Sequence, residues 1–130
     1  MPKAKTTPKA RILLVEDDKA NATMTRESLE REDFEVELVK DAEEALEVIS
    51  SMQPDLVLMD IRLPNMNGLE ATKKIRQDEN DALSEVPIIA LTAHAMKHDE
   101  QKTLDAGCDA YHAKPIAFPQ LFRQIDDLLN

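Results

Sequence analysis

Apolar residues along the chain fall into short unbroken runs separated by stretches with helical spacing. Arg11-Ile-Leu-Leu-Val15 is one such run, and acids follow it. Residues 19–31 are polar with spaced Ala, Met and Leu, which predicts a helix. Phe34-Glu-Val-Glu-Leu-Val39 alternates strictly and predicts a strand with one exposed face, at a sheet edge. Asp41 has the chemistry of a helix N-cap, and Ala42, Ala45, Leu46 and Ile49 follow on one helical face. Asp55-Leu-Val-Leu-Met59 has no polar side, so it reads as a strand covered on both faces. Residues 67–79 read as a helix, and Val86-Pro-Ile-Ile-Ala-Leu91 as a fourth, buried strand. A helix over 96–106 is stopped by Gly107, and Asp109-Ala-Tyr-His112 is a short fifth strand. Phe118, Leu121, Phe122, Ile125, Leu128 and Leu129 form a last helical stripe, with Pro119 in its first turn.

Five β/α pairs in series predict a parallel sheet with helices on both faces. Ligands of such sheets bind beyond the carboxyl ends of the strands. The first strand ends in Val15-Glu16-Asp17-Asp18, the third in Asp60, the fourth in Thr92, and the fifth leads into Lys114-Pro115. Parallel strands place all of these on one rim.

Composition narrows the class. The chain has 130 residues, one domain by length, and is 42% apolar, enough for a core without disulfides. Residues 1–10 carry three lysines, no acids and no apolar periodicity, and read as a flexible tail ahead of a domain over 11–130. They contain no apolar signal-peptide core, and no run approaches the roughly 18 apolar residues of a membrane span. From Arg11 onward 26 acids face 13 bases, a surface that repels phosphate backbones, so direct nucleic-acid binding is not expected. The lone Cys108 forms no internal bridge, fits a reducing cytoplasm, and reads as a small buried hydrophobe.

A cluster of carboxylates raises its own pKa values unless a cation compensates it. Mg²⁺ takes oxygen ligands, commonly one or two carboxylates with water. A metal, a spare carboxylate, a hydroxyl and a lysine together point to phosphoryl transfer. Asp60 would be the nucleophile, Mg²⁺ and Lys114 would neutralise the equatorial oxygens, and Thr92 would bind one of them. The product would be an aspartyl phosphate.

The segments R-I-L-L-V-E-D-D, L-V-L-M-D-I-R-L-P-N-M-N-G, I-I-A-L-T-A-H-A-M and A-Y-H-A-K-P-I resemble the receiver domain of two-component response regulators. The likeness covers about residues 11–129, with 43 positions from Asp17 to Asp60 and 22 from Thr92 to Lys114. It implies a flavodoxin-like, doubly wound (βα)5 fold with strand order 2-1-3-4-5. It also implies that Asp60 is the phosphoacceptor, Asp17 a direct Mg²⁺ (or Mn²⁺) ligand, Glu16 a ligand through water, and the carbonyl of Arg62 a further ligand. Thr92 and Tyr111 would be the switch pair, Arg62 and His94 would tune phosphoryl lifetime, and the Lys114-Pro115 peptide would be cis. The family's acidic pair directly follows the strand, which leaves Asp18 as a solvated helix-start acid.

The function implied is a cytoplasmic switch of a two-component system or phosphorelay. A histidine kinase or histidine phosphotransfer protein supplies the phosphoryl group. The surface of the 96–106 helix, the fifth strand and the last helix then changes its affinity for a downstream protein. The chain would act as a monomer or a weak phosphorylation-dependent dimer. It would not be an enzyme beyond its own phosphorylation and dephosphorylation. A phosphatase of the haloacid dehalogenase type would need an acid where Arg62 stands. A phosphate-independent pseudo-receiver would lack one of the site residues, and all are present. A receiver excised from a hybrid histidine kinase stays open beside a stand-alone regulator, which the Met1 start favours. No output domain is expected after Leu129, and output is expected through protein contact or onward transfer.

The other features have plainer readings. His94 and His98 read as an exposed loop and helix start rather than a zinc pair. His112 reads as a surface or partner contact, Gly68 as the closure of a turn after Pro64, and Asp78-Glu-Asn-Asp81 as a solvated helix end.

Overall fold

The computed structural model describes residues 8–93 and 97–130, including side chains except those of residues 97–99. Five strands form one parallel sheet: β1 (Arg11–Val15), β2 (Glu35–Val39), β3 (Leu56–Asp60), β4 (Ile88–Thr92) and β5 (Ala110–Ala113), in the order β2-β1-β3-β4-β5. This is the expected 2-1-3-4-5 arrangement. The helices are α1 (Lys19–Arg31), α2 (Ala42–Met52), α3 (Gly68–Arg76), α4 (Asp81–Ser84), α5 (Lys97–Ala106) and α6 (Phe118–Leu129). Among the described residues, no helix is long and apolar enough to cross a membrane.

Side-chain alternation explains the layers. Leu13, Val15, Val57, Met59, Ile88 and Ala90 point to one face and pack with α2 and α3. Ile12, Leu14, Leu56, Leu58, Ile89 and Leu91 point to the other and pack with Leu29 of α1 and with Leu121 and Ile125 of α6. The central strands are buried on both faces, whereas β2 alternates between exposed and covered residues at the edge. Each fully buried Leu or Ile contributes about 1.5–3 kcal/mol over its exposed state. Cys108 is buried beside Thr72.

The boundaries differ from the pattern-based expectation where polar side chains intervene. The helix expected over 67–79 ends at Arg76. The Asp78 carboxylate accepts from the Asn80 N–H, and Asn80 caps the short α4 through the Ala82 N–H. Such side chains compete with helical hydrogen bonding, so the run read as one solvated helix end divides two helices. Asp55 and Asp109 fall just outside β3 and β5. Their carboxylates accept the N–H groups of Arg11 and Ile88, at 2.8 Å each.

His112 is corrected more sharply. It is 3% exposed, not a surface contact. It pairs with Leu91 and shares the sheet face that packs against α6, opposite the face of Tyr111. Its two ring nitrogens meet Gln124 Oε1 at 2.8 Å and the Ala117 N–H at 3.0 Å.

Candidate functional site

The register builds the site. Val15 pairs with Met59, Asp60 with Leu91, and Thr92 with Ala113. Glu16, the residue after Val15, therefore sits level with Asp60, and Lys114 stands just beyond Thr92. The Glu16 N–H is held by the Val39 carbonyl at 3.1 Å and the Lys114 N–H by the Thr92 carbonyl at 2.7 Å.

Glu16, Asp17 and Asp60 offer carboxylate oxygens that all lie within 4.8 Å of one another. Glu16 and Asp60 are 2% and 4% exposed, while Asp17 is open to solvent. Lys114 Nζ donates to Glu16 Oε1 at 2.9 Å and to Asp60 Oδ2 at 3.0 Å. Burial and the hydrogen bond with Asp60 push the Glu16 carboxyl above its ordinary value, against the pull of Lys114. Burial alone would depress the Lys114 ammonium. The hydrogen bonds and charges of Glu16 and Asp60 outweigh it and raise its pKa. Three clustered carboxylates against one ammonium leave negative charge concentrated on oxygen, the donor set and charge that suit a hard divalent cation. The residues present thus fit Mg²⁺ or Mn²⁺. Asp18 turns away to accept the Asn21 N–H and cap α1, as expected of a helix-start acid.

The loop after Asp60 is shaped by close backbone approach. The Arg62 N–H donates to Asp60 Oδ1 at 3.0 Å, while the Arg62 side chain is exposed. Asn65 occupies the left-handed region at φ 68°. The Gly68 N–H reaches the Ile61 carbonyl at 2.9 Å. Gly68 does more than close a turn: a Cβ there would stand 2.2 Å from the Asp60 carbonyl oxygen. Only glycine lets α3 start this close to the end of β3. Asn67 and Glu70 complete a capping box at the same point.

Thr92 is buried at the end of β4. Tyr111 lies against the α2/α3 face with its hydroxyl at the surface, donating to Glu100 Oε2 at 3.1 Å. That bond, followed by partial burial, raises the phenol pKa. The Lys114-Pro115 peptide is cis, as anticipated. His94 and the side chain of His98 lie outside the described residues. The pattern reading named Asp17, Glu16, Asp60, Thr92, Tyr111 and Lys114, and the fold gathers Glu16, Asp17, Asp60 and Lys114 into direct proximity. It missed Glu100 as the partner of Tyr111, which no local spacing signals.

The sequence matches the response regulator receiver domain over residues 12–126. It is 40% identical over 119 residues to the polar-differentiation response regulator DivK of Brucella anthropi, covering 92% of this chain and 95% of that one. The receiver domain of a sensor histidine kinase from Pseudomonas aeruginosa, solved with magnesium ion coordinated in the active site cleft, superposes with a TM-score of 0.85. It is 39% identical, and the match covers 92% of this chain and 97% of that one. A chemotaxis response regulator of Vibrio cholerae gives a TM-score of 0.85 at 26% identity, over 92% and 98% of the two chains. The chain belongs to the response regulator receiver family. Membership makes it a phospho-signalling receiver of the two-component type, a class that interacts with histidine kinases or phosphotransfer proteins.

Proposed function

We propose that the chain is a magnesium-dependent switch in which Asp60 accepts a phosphoryl group from a partner phosphohistidine. The observation that carries this reading is Lys114 Nζ bridging Glu16 and Asp60 beside the exposed Asp17. A carboxylate oxygen of Asp60 forms the new O–P bond, the donor N–P bond breaks, and its electron pair stays with the leaving imidazole. Asp17, Asp60, Glu16 through water and the Arg62 carbonyl would hold Mg²⁺ (or Mn²⁺), which when bound supplies charge neutralisation on the phosphoryl oxygens. Lys114 neutralises another of these oxygens, and Thr92 donates its hydroxyl to one. Arg62 and His94 are the positions that would tune the lifetime of the phosphoryl group.

Thr92 moves toward the phosphoryl group, and the Tyr111 ring follows it inward and releases Glu100. The surface of α5, β5 and α6 then changes its affinity for a downstream protein partner. The chain works in the cytoplasm, without nucleic acid, membrane or turnover of a free substrate. It is a monomer or a weak dimer when phosphorylated.

Intact-protein mass spectrometry after incubation with acetyl phosphate and Mg²⁺ tests the reading. One added phosphoryl group is expected, absent with EDTA and absent in Asp60→Asn. A folded protein that takes up none from acetyl phosphate or from a phosphotransfer protein would return the chain to the pseudo-receiver class.

A further inference from the structure

Strand β5 carries a second polar arrangement, on the face opposite Tyr111. The Ala117 N–H donates to His112 Nε2 at 3.0 Å, so this nitrogen presents its lone pair. The ring hydrogen then sits on Nδ1 and is donated to Gln124 Oε1 at 2.8 Å. The Gln124 amide in turn donates from Nε2 to the Tyr111 carbonyl at 3.0 Å. The three bonds run in one direction and leave the imidazole neutral, with one tautomer. Each end of the chain has a structural consequence. Ala117 is the N-cap of α6 and supplies no side-chain cap of its own. Tyr111 belongs to β5.

Between these anchors lies the short loop that bears Lys114. Its near end is tied to β4, because the Lys114 N–H donates to the Thr92 carbonyl at 2.7 Å. Its far end is tied to the sheet through His112. An apolar side chain would fill the same buried volume, yet the Ala117 N–H would turn to solvent and the far end of the loop would lose its anchor. Catalytic groups on loops depend on such support, since a displacement of about 1 Å can cost on the order of 100-fold in rate.

We infer that His112, held between Gln124 and the Ala117 amide as the Nδ1–H tautomer, is a positioning residue for Lys114. It acts through the 113–117 loop and touches no reacting atom. The inference rests on the reading of Lys114 as the group that neutralises the phosphoryl oxygens.

The test compares rates of acetyl phosphate labelling, with Mg²⁺ and the full chain, for wild type, His112→Leu, His112→Asn and His112→Gln. Leu removes both hydrogen bonds. Asn keeps a partner for Gln124 but falls short of Ala117, and it serves if the Leu variant does not fold. Gln carries an oxygen to the Nε2 position and can accept from Ala117. Labelling is expected to slow about tenfold in Leu and Asn, with Gln restoring most of the rate at similar thermal stability. The ¹⁵N resonances of the wild-type imidazole are expected to show a protonated Nδ1 and an unprotonated Nε2. Labelling of Leu and Asn at the wild-type rate, no rescue by Gln, or an Nε2–H tautomer would overturn the inference and leave the phosphoacceptor reading standing. A wild type that takes up no phosphoryl group would defeat that reading and the inference with it.

Discussion

The two rims of the sheet carry the same kinds of side chain and use them differently. At the amino-terminal rim, arginines meet acids and carbonyls in full. Arg76 donates to the carbonyls of Gly107, Ser84 and Val86 at 2.8, 2.9 and 2.7 Å, and to Asp109 at 2.9 Å. Arg11 donates to Glu35 and to the Met52 carbonyl, and its N–H is held by Asp55. At the carboxyl-terminal rim, Lys114 pairs with Glu16 and Asp60, and the exposed Asp17 beside those two acids leaves negative charge in excess. A completed set of partners contributes to stability. On the proposed reading, an incomplete one keeps binding capacity for a cation and a phosphoryl group, at some expense in folding free energy.

The contrast breaks first at Arg76. Arg76→Ala deletes a fork that joins α3 to α4, β4 and β5, and it should lower unfolding free energy by about 3 kcal/mol. Arg76→Lys should recover little, because an ammonium cannot reproduce the planar fork. Urea titration checks the loss. Labelling of the folded fraction should stay near the wild-type rate, since the clasp lies at the far rim. A matching fall in labelling would show that the two rims are not separable.

Gly68→Ala attacks the functional rim through backbone crowding. The new Cβ would meet the Asp60 carbonyl at 2.2 Å and Met59 Cγ at 2.9 Å. Relief requires shifting the start of α3 or the end of β3, at roughly 1–3 kcal/mol. Here stability and labelling should fall together, in contrast to Arg76→Ala. Both are read from the same pair of assays.

Glu16→Gln sharpens the contrast in the opposite direction. A carboxyl whose folded pKa is raised favours its protonated form in the native state. Its contribution to stability is therefore full below the ordinary value of 4.5 and is lost as pH rises through the higher folded value. Without divalent cations, the variant should gain on wild type as pH rises through that window, by about 1 kcal/mol at most. Added Mg²⁺ should stabilise wild type more than the variant. Thermal melts across pH, with EDTA or Mg²⁺, measure both signs. A variant that is less stable than wild type in EDTA at neutral pH would show that the acid surplus carries no cost.

Much of this was legible in the sequence, for identifiable reasons. Val57, Leu58 and Met59 are apolar in consecutive positions, the pattern of a short strand covered on both faces. The carboxylate that ends such a run is conspicuous. Parallel order then carries Glu16, Asp60 and Lys114 to one rim without further information. The burial of His112 was not legible. Its strand has four residues, and the alanines at both ends fit either face, so alternation assigns no side. Nor was Arg76, which shares the last turn of α3 with Lys73 and Lys74 and reads there as a solvated charge. Helix α4 is too short for any period to show. The Tyr111–Glu100 bond depends on how α5 packs against β5, which is a property of the assembled fold.

That last bond gives the smallest expected effect and a direct view of the switch. Tyr111 is the single tyrosine in a chain without tryptophan, so ultraviolet absorbance follows its ionisation alone. Its hydroxyl donates to Glu100 only while protonated, and the bond places the folded pKa above the ordinary 10.0. The stabilisation is therefore present below that value and disappears as pH rises through the folded pKa. Glu100→Gln removes the facing charge and should move the titration back toward 10.0. In the phosphorylated state, with the ring drawn inward and Glu100 released, the bond would no longer set the midpoint. The Glu100→Gln substitution should then leave the Tyr111 titration where it is, whereas in the unphosphorylated protein it shifts it. A substitution that shifts both states equally would separate Tyr111 from the events at Asp60 and confine the functional rim to the acids and Lys114.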